Sequence, residues 1–493
     1  MINIRYALNQ LGLLFMVMSA MQLFVAGYGM IALLRGAAEE KYAVLSLVLS
    51  AAAGILLGGG MWLFTRTARK SLERREAMLM VALSWLIGAA HSGLPFYLWA
   101  KTRGETTIDH AFRSFINCYF EAMSGLTTTG ATVLTHIDRL PHSILLWRAM
   151  THWLGGLGIV VLFVAVLPSL GAGGKKLFRV EAPGPEPEGV TPHIRETARI
   201  LWIIYLGMTV LEILALRLAG MSYFDATCHT FATLATGGFS TIDASVGGFN
   251  SWAIHIIIIV FMILAGVNFG LYYRLIRRQF RAVFRDAELR LYLLIILVST
   301  VLITLAIMHH PLTLTTGEKL EPSLLQSFRH SLFTTVSIQT TTGFCTADFN
   351  EWPYLARSIL IILMFIGASA GSTGGGIKVI RLWIVIKVIA AEIERAFRPN
   401  VIRPVKVSGS PVDPRMRLAT VSFVFLFTLL FAAGTFLLIV FEQAADQPID
   451  LATAGSASMA TLCNIGPGLN MVGAIENYSW FTDASKVVMS ILM

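Results

Sequence analysis

Four short threonine- and glycine-rich stretches recur along this 493-residue chain at nearly regular intervals. A short run that suits a helix comes before each stretch, and a longer apolar run comes after it. Self-similarity at a long, nearly fixed period indicates one structural unit repeated along the chain. We therefore predict four copies of a helix–loop–helix unit. The stretches occupy residues 127–131, 234–239, 340–344 and 463–467, and their reference glycines, Gly130, Gly237, Gly343 and Gly466, are separated by 107, 106 and 123 residues.

The composition indicates a membrane protein. Hydrophobic residues make up 55% of the chain and charged residues only 14%, and several apolar runs can cross a hydrocarbon core of roughly 30 Å. The net charge of +9 comes from basic residues that alternate with the apolar runs, as in the turn at 66–75. That pattern is typical of cytoplasmic loops, so we predict a lipid bilayer as the environment and no nucleic acid as a partner.

The order of the apolar runs predicts an all-α polytopic membrane protein. Two leading transmembrane helices precede four pseudo-symmetric repeats, each a helix, a pore loop and a helix, around one central pore. This arrangement has ten full crossings and places both termini in the cytoplasm. The last helix begins near Trp480 and is cut short at Met493, so we expect the natural chain to continue. The expected boundaries are 1–70 for the leading helices and 71–180, 181–285, 286–400 and 401–493 for the four repeats.

Local patterns within the repeats predict particular helices. In the first repeat a second outer helix covers about 143–170 and ends in a basic, flexible exit at 171–176, and a proline-containing connection follows at 181–193. In the second repeat Asp225 is expected to cap the short helix. One continuous outer helix is expected there over about 251–280.

The repeated stretches suit a backbone that coordinates a cation. A dehydrated cation needs oxygen ligands in place of water, and backbone carbonyls can supply them. Successive carbonyls of one strand face the same way only if some residues adopt φ > 0, which glycine allows at little cost. Nearby threonine hydroxyls can brace the strand, and the C-terminal ends of the short helices favour a cation. Such a ring needs no carboxylate, which favours a monovalent ion.

We therefore predict a potassium-conducting pore, with potassium as the substrate and no cofactor bound by the chain itself. The fourth stretch has Asn464 and Ile465 where the others have threonines, which predicts fewer well-ordered ion sites than in a symmetric channel. The expected ligands, mainly through backbone carbonyls, are Thr128, Thr129, Gly130, Ala235, Thr236, Gly237, Thr341, Thr342, Gly343, Asn464, Ile465 and Gly466.

The apolar run that begins near Glu351 is interrupted at 367–376 by ten small residues, five of them glycine. Small residues also serve helix packing in membranes, which is the alternative interpretation. A run this long exceeds that need, and unwound backbone at membrane depth is tolerated only beside protein or a water-filled cavity. We predict a gate, a loop beneath the ring that can obstruct the pathway. Its residues are Gly371, Ser372, Thr373, Gly374, Gly375 and Gly376.

Several other side chains have structural interpretations. The cysteines lie at different offsets from the nearest reference glycine, which argues against a four-thiolate metal site. Glu121, His229 and Arg329 fall in the short helices, where pairing behind the pore is favoured over a direct role in it. The cysteines are Cys118, Cys228, Cys345 and Cys463.

These motifs resemble the Trk/Ktr/HKT superfamily of potassium transporters and, within it, the bacterial TrkH branch. The resemblance implies potassium uptake across a bacterial inner membrane by a homodimer with one pore per subunit. It also implies a cytosolic, TrkA-type nucleotide-binding ring that docks on the basic face and acts on the gate. In this superfamily glycine at all four filter positions goes with potassium preference and serine at the first with sodium, and the first here is Gly130. The motifs that carry the resemblance lie at 127–132, 235–241, 340–349, 370–378 and 463–470.

The sequence is also compared with what three other functions would require. A secondary transporter could couple potassium to protons or sodium, with the broken helix holding the substrate. A buried mid-span carboxylate would favour it, and Glu212 is the clear candidate. An enzyme is disfavoured, because no paired catalytic groups, metal-ligand set or nucleophile motif falls at membrane depth. A regulatory scaffold would not explain four similar stretches.

Overall fold

The computed structural model describes residues 4–67, 74–104, 110–156, 158, 194–399, 405–407 and 410–493. These residues form 17 α-helices, short 3₁₀ turns and two small antiparallel strand pairs. The strands are Leu312–Thr313 with Lys319–Leu320 and Lys406–Val407 with Ser410–Pro411. The fold is therefore all-α in character, as predicted.

Two long helices, Ile4–Leu34 and Glu40–Thr65, lead the chain and pack against each other. The buried Glu40 carboxylate accepts hydrogen bonds from the backbone N–H and the hydroxyl of Ser143. Ser143 lies in the first turn of the helix His142–Gly156, whose N-terminal amides have no partners within the helix. A carboxylate at that end is favourable, so this contact holds the leading helices against the first repeat.

Each of four units then contains a first outer helix, a short helix, a threonine- and glycine-rich stretch, a 3₁₀ turn and a second outer helix. The first outer helices are Arg74–Thr102, Ile194–Leu218, Ala287–Ile307 and Pro414–Ala444. The short helices are Phe115–Leu126 (after a 3₁₀ turn, Ala111–Arg113), Tyr223–Leu234, Leu324–Gln339 and Leu451–Leu462. The 3₁₀ turns after the stretches are Ile137–Arg139, Ser245–Gly248, Phe349–Glu351 and Asn470–Val472. The second outer helices are His142–Gly156, Trp252–Ala265 with Phe269–Ile276, Tyr354–Ile366 with Val379–Phe397, and Asp483–Leu492.

The second outer helix of unit two is broken, so the expectation of one continuous helix is wrong. Trp252–Ala265 and Phe269–Ile276 meet at 93°, and a five-residue helix, Phe280–Phe284, follows. Asn268 caps the restarted helix, since its Oδ1 accepts a hydrogen bond from the Gly270 amide at 2.8 Å. A side-chain cap of this kind offers the backbone an alternative to continuing the helix.

The N-cap of the short helix in unit two also lies three residues earlier than predicted. Ser222, not Asp225, is the N-cap. Its hydroxyl oxygen accepts from the Asp225 amide at 3.0 Å and donates to the Asp225 carboxylate at 2.7 Å. Asp225 already lies inside the first turn, where its charge favours the helix N-terminus.

Six helices in the described residues are long and apolar enough to cross a membrane, or seven if the bent pair counts as one span. The chain is therefore a multi-pass membrane protein. The ten-crossing arrangement and the repeat boundaries remain predictions, since the further crossings would use shorter helices. The expected exit at 171–176 and connection at 181–193 lie outside the described residues, as does the part of the predicted 143–170 helix beyond residue 158.

Candidate functional site

The four threonine- and glycine-rich stretches meet in one closed ring. At each junction the space beside a glycine, where a β-carbon would stand, is occupied by a carbonyl oxygen of the next stretch. The distances from the β-carbon position to that oxygen are 2.0 Å for Gly130 to Gly237, 2.0 Å for Gly238 to Thr342, 2.0 Å for Gly343 to Ile465, and 2.8 Å for Gly466 to Thr129. The order one, two, three, four thus closes on itself. No side chain larger than hydrogen fits at these four positions without opening the ring.

All four stretches share one backbone geometry. In each, two residues separated by one position have φ > 0: Thr128 and Gly130, Thr236 and Gly238, Thr341 and Gly343, and Asn464 and Gly466. The residue between them donates its amide to a carbonyl of the preceding short helix at 2.8 Å. These bonds run from Thr129 to Ser124, Gly237 to Ala232, Thr342 to Ser337 and Ile465 to Ala460. The amides are therefore used behind the ring and do not face its centre.

The register expected for the second stretch is wrong by one residue. Gly238, not Gly237, takes the left-handed conformation, and Gly237 occupies the position of Thr129 in the first stretch. The residues that correspond in backbone geometry to Thr128, Thr129 and Gly130 are therefore Thr236, Gly237 and Gly238, one residue later than the predicted Ala235, Thr236 and Gly237. Two adjacent glycines made the sequence ambiguous here, and the contact with the Thr342 carbonyl decides which one must lack a β-carbon.

Eight carbonyl oxygens of the ring have no hydrogen-bond donor among the described residues. Buried backbone carbonyls are nearly always paired, so a concentration of unpaired ones in a single ring indicates a place for a positive ligand. Carbonyl oxygens replace the water of a monovalent cation in this way. They belong to Thr128, Thr129, Thr236, Gly237, Thr341, Thr342, Asn464 and Ile465.

An open cavity of about 120 Å³ lies on the side of the ring formed by residues that follow the stretches. The four left-handed glycines line it together, so it leads directly to the ring. Its walls also carry one basic residue, Arg148, and two acidic residues, Asp243 and Glu476. The ring is therefore accessible from this side.

On the opposite side, the segment between Ile366 and Val379 is non-helical, where the sequence predicted a break. Thr373 donates its hydroxyl to the Leu234 carbonyl at 3.0 Å, at the end of a short helix. The Gly375 amide donates to the Thr341 hydroxyl at 2.6 Å. A β-carbon on Gly375 would lie 2.1 Å from the Cys463 carbonyl oxygen. The loop thus lies against the ends of the short helices of units two, three and four.

The bend in unit two receives this loop. The Ser369 amide donates to the Gly266 carbonyl at 3.1 Å, and the Phe269 amide donates to the Gly371 carbonyl at 2.9 Å. Backbone groups released by the broken helix are therefore satisfied by the loop. The contact between the bend and the loop was not predicted, because the two segments are more than 100 residues apart in the sequence.

Glu288 anchors both ends of the loop and was also missed. It lies in the first turn of Ala287–Ile307, and its Oε1 accepts from the Ala370 amide at 2.7 Å and from the Ile380 amide at 3.2 Å. Ile380 belongs to the first turn of Val379–Phe397, whose amides lack helical partners. One carboxylate oxygen therefore caps the restarted helix and holds the loop.

Sequence and structure comparisons identify the family. The family described as TrkH, cation transport protein, matches residues 47–493. The chain belongs to the TrkH family. The Trk system potassium uptake protein TrkH of Halomonas elongata is 40% identical over 446 residues, which is 90% of this chain and 87% of that one. The Escherichia coli protein of the same name is 37% identical over 437 residues, 88% of this chain and 85% of that one.

A solved structure agrees with this assignment. The crystal structure of the potassium transporter TrkH from Vibrio parahaemolyticus matches with a TM-score of 0.82 and 34% sequence identity. The match covers 99% of this chain and 95% of that one. The polytopic, all-α architecture is therefore that of a TrkH protein.

In this TrkH family member, each short helix braces the stretch that follows it through one polar side chain. The contacts are Glu121 with Thr132 Oγ1 at 2.9 Å, His229 Nε2 with Ser240 Oγ at 3.1 Å, His330 Nδ1 with Thr346 Oγ1 at 2.9 Å, and Ser456 Oγ with the Leu469 amide at 2.9 Å. The predicted structural pairing of Glu121 and His229 is confirmed. His330 and Ser456 were missed, although a polar residue inside each short helix was the available signal.

Arg329 also has a structural pairing, as predicted. Its Nε donates to His255 Nδ1 at 3.2 Å, and its guanidinium lies 4.7 Å from the ring centroid of Trp252. Glu212 is fully buried and does not line the cavity.

Among the described residues, the four cysteines are not grouped at metal-ligand spacing. All four are buried free thiols. In the part of the chain that the structure describes, the single group with metal-ligand spacing is His136, Asp138 and Asp243, whose side chains are exposed.

Proposed function

We propose that this chain takes up potassium by conducting it through the closed ring. The main support for this proposal is the set of eight carbonyl oxygens that have no hydrogen-bond donor among the described residues. They lie in four stretches that share one backbone geometry. The matched relatives from Halomonas elongata and Escherichia coli are named potassium uptake proteins. The proposed ligands are the predicted set with the second stretch shifted to Thr236, Gly237 and Gly238.

The electrostatics of the short helices support a cation of single charge. All four end directly before a stretch, and a helix C-terminus carries the equivalent of roughly half a negative charge. The side chains of the eight unpaired positions are all uncharged. A divalent ion would lack the carboxylates that usually compensate its charge.

The filter assignment is tested with Gly343→Ser in liposomes. Gly343 has φ +80° and faces the Ile465 carbonyl, so serine would both strain the backbone and open the ring. Gly317→Ser is the matched control, because Gly317 has φ +84° but nothing within 4 Å of its β-carbon position. We expect the ratio of potassium to sodium flux to fall in Gly343→Ser and to stay unchanged in Gly317→Ser. An unchanged ratio of potassium to sodium flux in both variants would contradict the assignment of the ring as the selectivity filter.

We also propose that the loop residues Gly371, Ser372, Thr373, Gly374, Gly375 and Gly376 form a gate. The loop's contacts with three short-helix ends support this, since they cover the side of the ring opposite the cavity. The helix Phe269–Ile276, which bonds the loop, leads into exposed Arg277, Arg278 and Arg281. Exposed arginines of this kind favour the cytoplasmic side. Deleting 371–375 is expected to raise cation leak, and unchanged leak would count against a gate.

The family resemblance supports a wider assembly, which we carry forward as a proposal. It comprises a homodimer in a bacterial inner membrane, both termini in the cytoplasm, and a TrkA-type nucleotide-binding ring on the basic face. The matched relatives are named as parts of a Trk system. Crosslinking of the purified chain tests the dimer, and binding of a TrkA-type protein to variants of Arg277 and Arg281 tests the docking face.

Glu212 supports one alternative, a transporter coupled to protons or sodium, because a fully buried acid in a membrane helix is a functional candidate by default. The reversal potential separates the two functions. A channel reverses at the potassium equilibrium potential whatever the pH or sodium gradient. A dependence on either gradient that disappears in Glu212→Gln would favour the transporter.

A further inference from the structure

The second stretch lacks two side chains that brace its counterparts. In the first and third stretches, two threonine hydroxyls hydrogen-bond each other behind the ring. The pairs are Thr127 with Thr129 at 2.8 Å and Thr340 with Thr342 at 2.7 Å. The corresponding residues of the second stretch are Ala235 and Gly237, which have no hydroxyl. This stretch therefore depends on a different support.

The imidazole of His152 fills the space behind Gly237. A β-carbon on Gly237 would lie 2.6 Å from both Cγ and Nδ1 of that ring. Gly237 is not in the left-handed region, so its backbone would accept a side chain, and only the lack of room requires glycine. His152 is fully buried in the helix His142–Gly156 of the preceding unit. The support for stretch two is thus supplied by unit one.

Both ring nitrogens of His152 are engaged. Nδ1 lies 2.7 Å from the Gly125 carbonyl oxygen, and the Phe239 amide donates to Nε2 at 3.2 Å. A carbonyl needs a donor and an amide needs an acceptor, so these partners select the neutral tautomer with its hydrogen on Nδ1. The imidazole also packs on the Phe239 ring, with centroids 4.0 Å apart. One side chain therefore fixes the distance between the first short helix and the second stretch.

We propose that His152 is a positioning residue that holds the second stretch and thereby sets the preference for potassium over sodium. This inference rests on the proposed function of the ring. The Gly237 carbonyl is one of the eight unpaired oxygens and contacts Gly130, so a displaced Gly237 changes the ring itself. Selectivity depends on the spacing and number of coordinating carbonyls. Loss of His152 should therefore alter selectivity while conduction continues.

The test measures potassium and sodium flux separately in liposomes for His152→Leu and His152→Gln. Leucine fills similar space but offers neither donor nor acceptor. Because both hydrogen bonds are lost, we expect its potassium-to-sodium ratio to fall about tenfold, with total cation flux retained. Glutamine offers one donor and one acceptor and is expected to keep the wild-type ratio. Equal ratios in all three proteins would overturn the proposal.

A compensating pair separates positioning from general damage. Gly237→Thr alone forces a side chain into the imidazole and is expected to lower the ratio. Combined with His152→Ala, the threonine has room, and the double variant is expected to exceed both single variants in its ratio. Coupling of this sign is expected only if the two positions share one space. A monodisperse double variant with a ratio no better than either single one would overturn the proposal.

Gly343→Ser distinguishes failure of this inference from failure of the proposed function. If Gly343→Ser keeps the wild-type ratio, the ring is not the filter and both proposals fall. If Gly343→Ser loses selectivity while His152→Leu keeps it, only the role of His152 is overturned.

Discussion

Glu121 and Arg148 form a buried ion pair behind the ring, with Arg148 Nε 2.6 Å from Glu121 Oε1. The carboxylate also accepts from the Thr132 hydroxyl and the Val133 amide, each at 2.9 Å. The guanidinium donates to the Ser240 carbonyl at 3.0 Å. Since Thr132 and Ser240 follow the first and second stretches, one ion pair joins two neighbouring parts of the ring.

Removing one partner of this pair should destabilise the protein strongly. Arg148→Met leaves the Glu121 carboxylate buried without its counter-charge, and the expected loss is about 3–5 kcal/mol. Thermal unfolding in detergent measures it. The double variant Glu121→Gln with Arg148→Met leaves no unpaired charge and should be closer to wild type. A single variant as stable as wild type would show that the pair contributes little.

Glu288 is predicted to hold the loop in its position against the ring. Glu288→Ala removes the acceptor for the Ala370 and Ile380 amides. Hydrogen bonds contribute about 0.5–1.5 kcal/mol each, so the loss of two is enough to shift an open–closed equilibrium roughly tenfold. We expect cation leak in liposomes to rise by that factor, with an unchanged potassium-to-sodium ratio because the ring is untouched.

Glu392→Ala is the matched control for that experiment. Glu392 lies on Val379–Phe397, the same helix that Glu288 caps, but it is exposed and only 4.0 Å from an equally exposed Arg395. We expect no change in leak, since exposed pairs of this kind contribute little. If Glu392→Ala and Glu288→Ala behaved alike, the loop would not depend on Glu288.

The sequence predicted the existence of the ring but not how its parts are held. The backbone conformation of a Thr-Thr-Thr-Gly run can be predicted from the run itself, because its left-handed residues and its hydrogen-bonded hydroxyl pairs involve only residues within the run. The contacts of Arg148 and Glu288 are not local. Arg148 reads as a lone charge in an apolar helix, and its partner lies 27 residues earlier. Glu288 reads as an ordinary acid of a first helical turn, and its partners follow 82 and 92 residues later.

The bend at Gly266 also depends on a contact between segments that are distant in the sequence, so it could not be predicted from the sequence. An apolar run over 251–280 predicts one helix by periodicity, and a single glycine inside such a run is tolerated in membrane helices. The helix breaks because the loop supplies other hydrogen-bond partners there, such as the Ser369 amide for the Gly266 carbonyl. The break at 367–376 was predictable because ten small residues in a row contradict any helix pattern.

Gly375 is predicted to allow the close approach of the loop to the ring. Gly375→Ala would place a methyl group 2.1 Å from the Cys463 carbonyl oxygen, and overpacking of this kind costs about 1–3 kcal/mol. We expect the loop to be displaced and the leak in liposomes to increase. Gly455→Ala is the control, because Gly455 lies in the short helix Leu451–Leu462 with nothing within 4 Å of its β-carbon position. A larger leak in the control than in Gly375→Ala would contradict the assignment.

Asp243 is predicted to make potassium flux depend on pH on the cavity side. It lines the cavity, and its Oδ1 accepts from the Ile137 amide at 2.7 Å. Partial desolvation at the cavity wall raises the pKa of Asp243; the hydrogen bond from the Ile137 amide opposes this increase, and the adjacent Asp138 adds to it. The carboxyl therefore becomes negative at a higher pH than an ordinary aspartate. A negative charge at the mouth concentrates cations, so flux should increase as pH rises through that raised pKa.

Asp243→Asn tests this dependence, since asparagine keeps an acceptor for the Ile137 amide and removes the charge. We expect the pH-dependent increase, on the order of a few-fold, to disappear. It should also vanish in wild type at high salt, because the screening length falls from about 10 Å at 0.1 M to about 3 Å at 1 M. His136→Gln is the control for the imidazole that faces both carboxylates. If the increase persists in Asp243→Asn but disappears in His136→Gln, the imidazole and not the carboxylate controls cation entry.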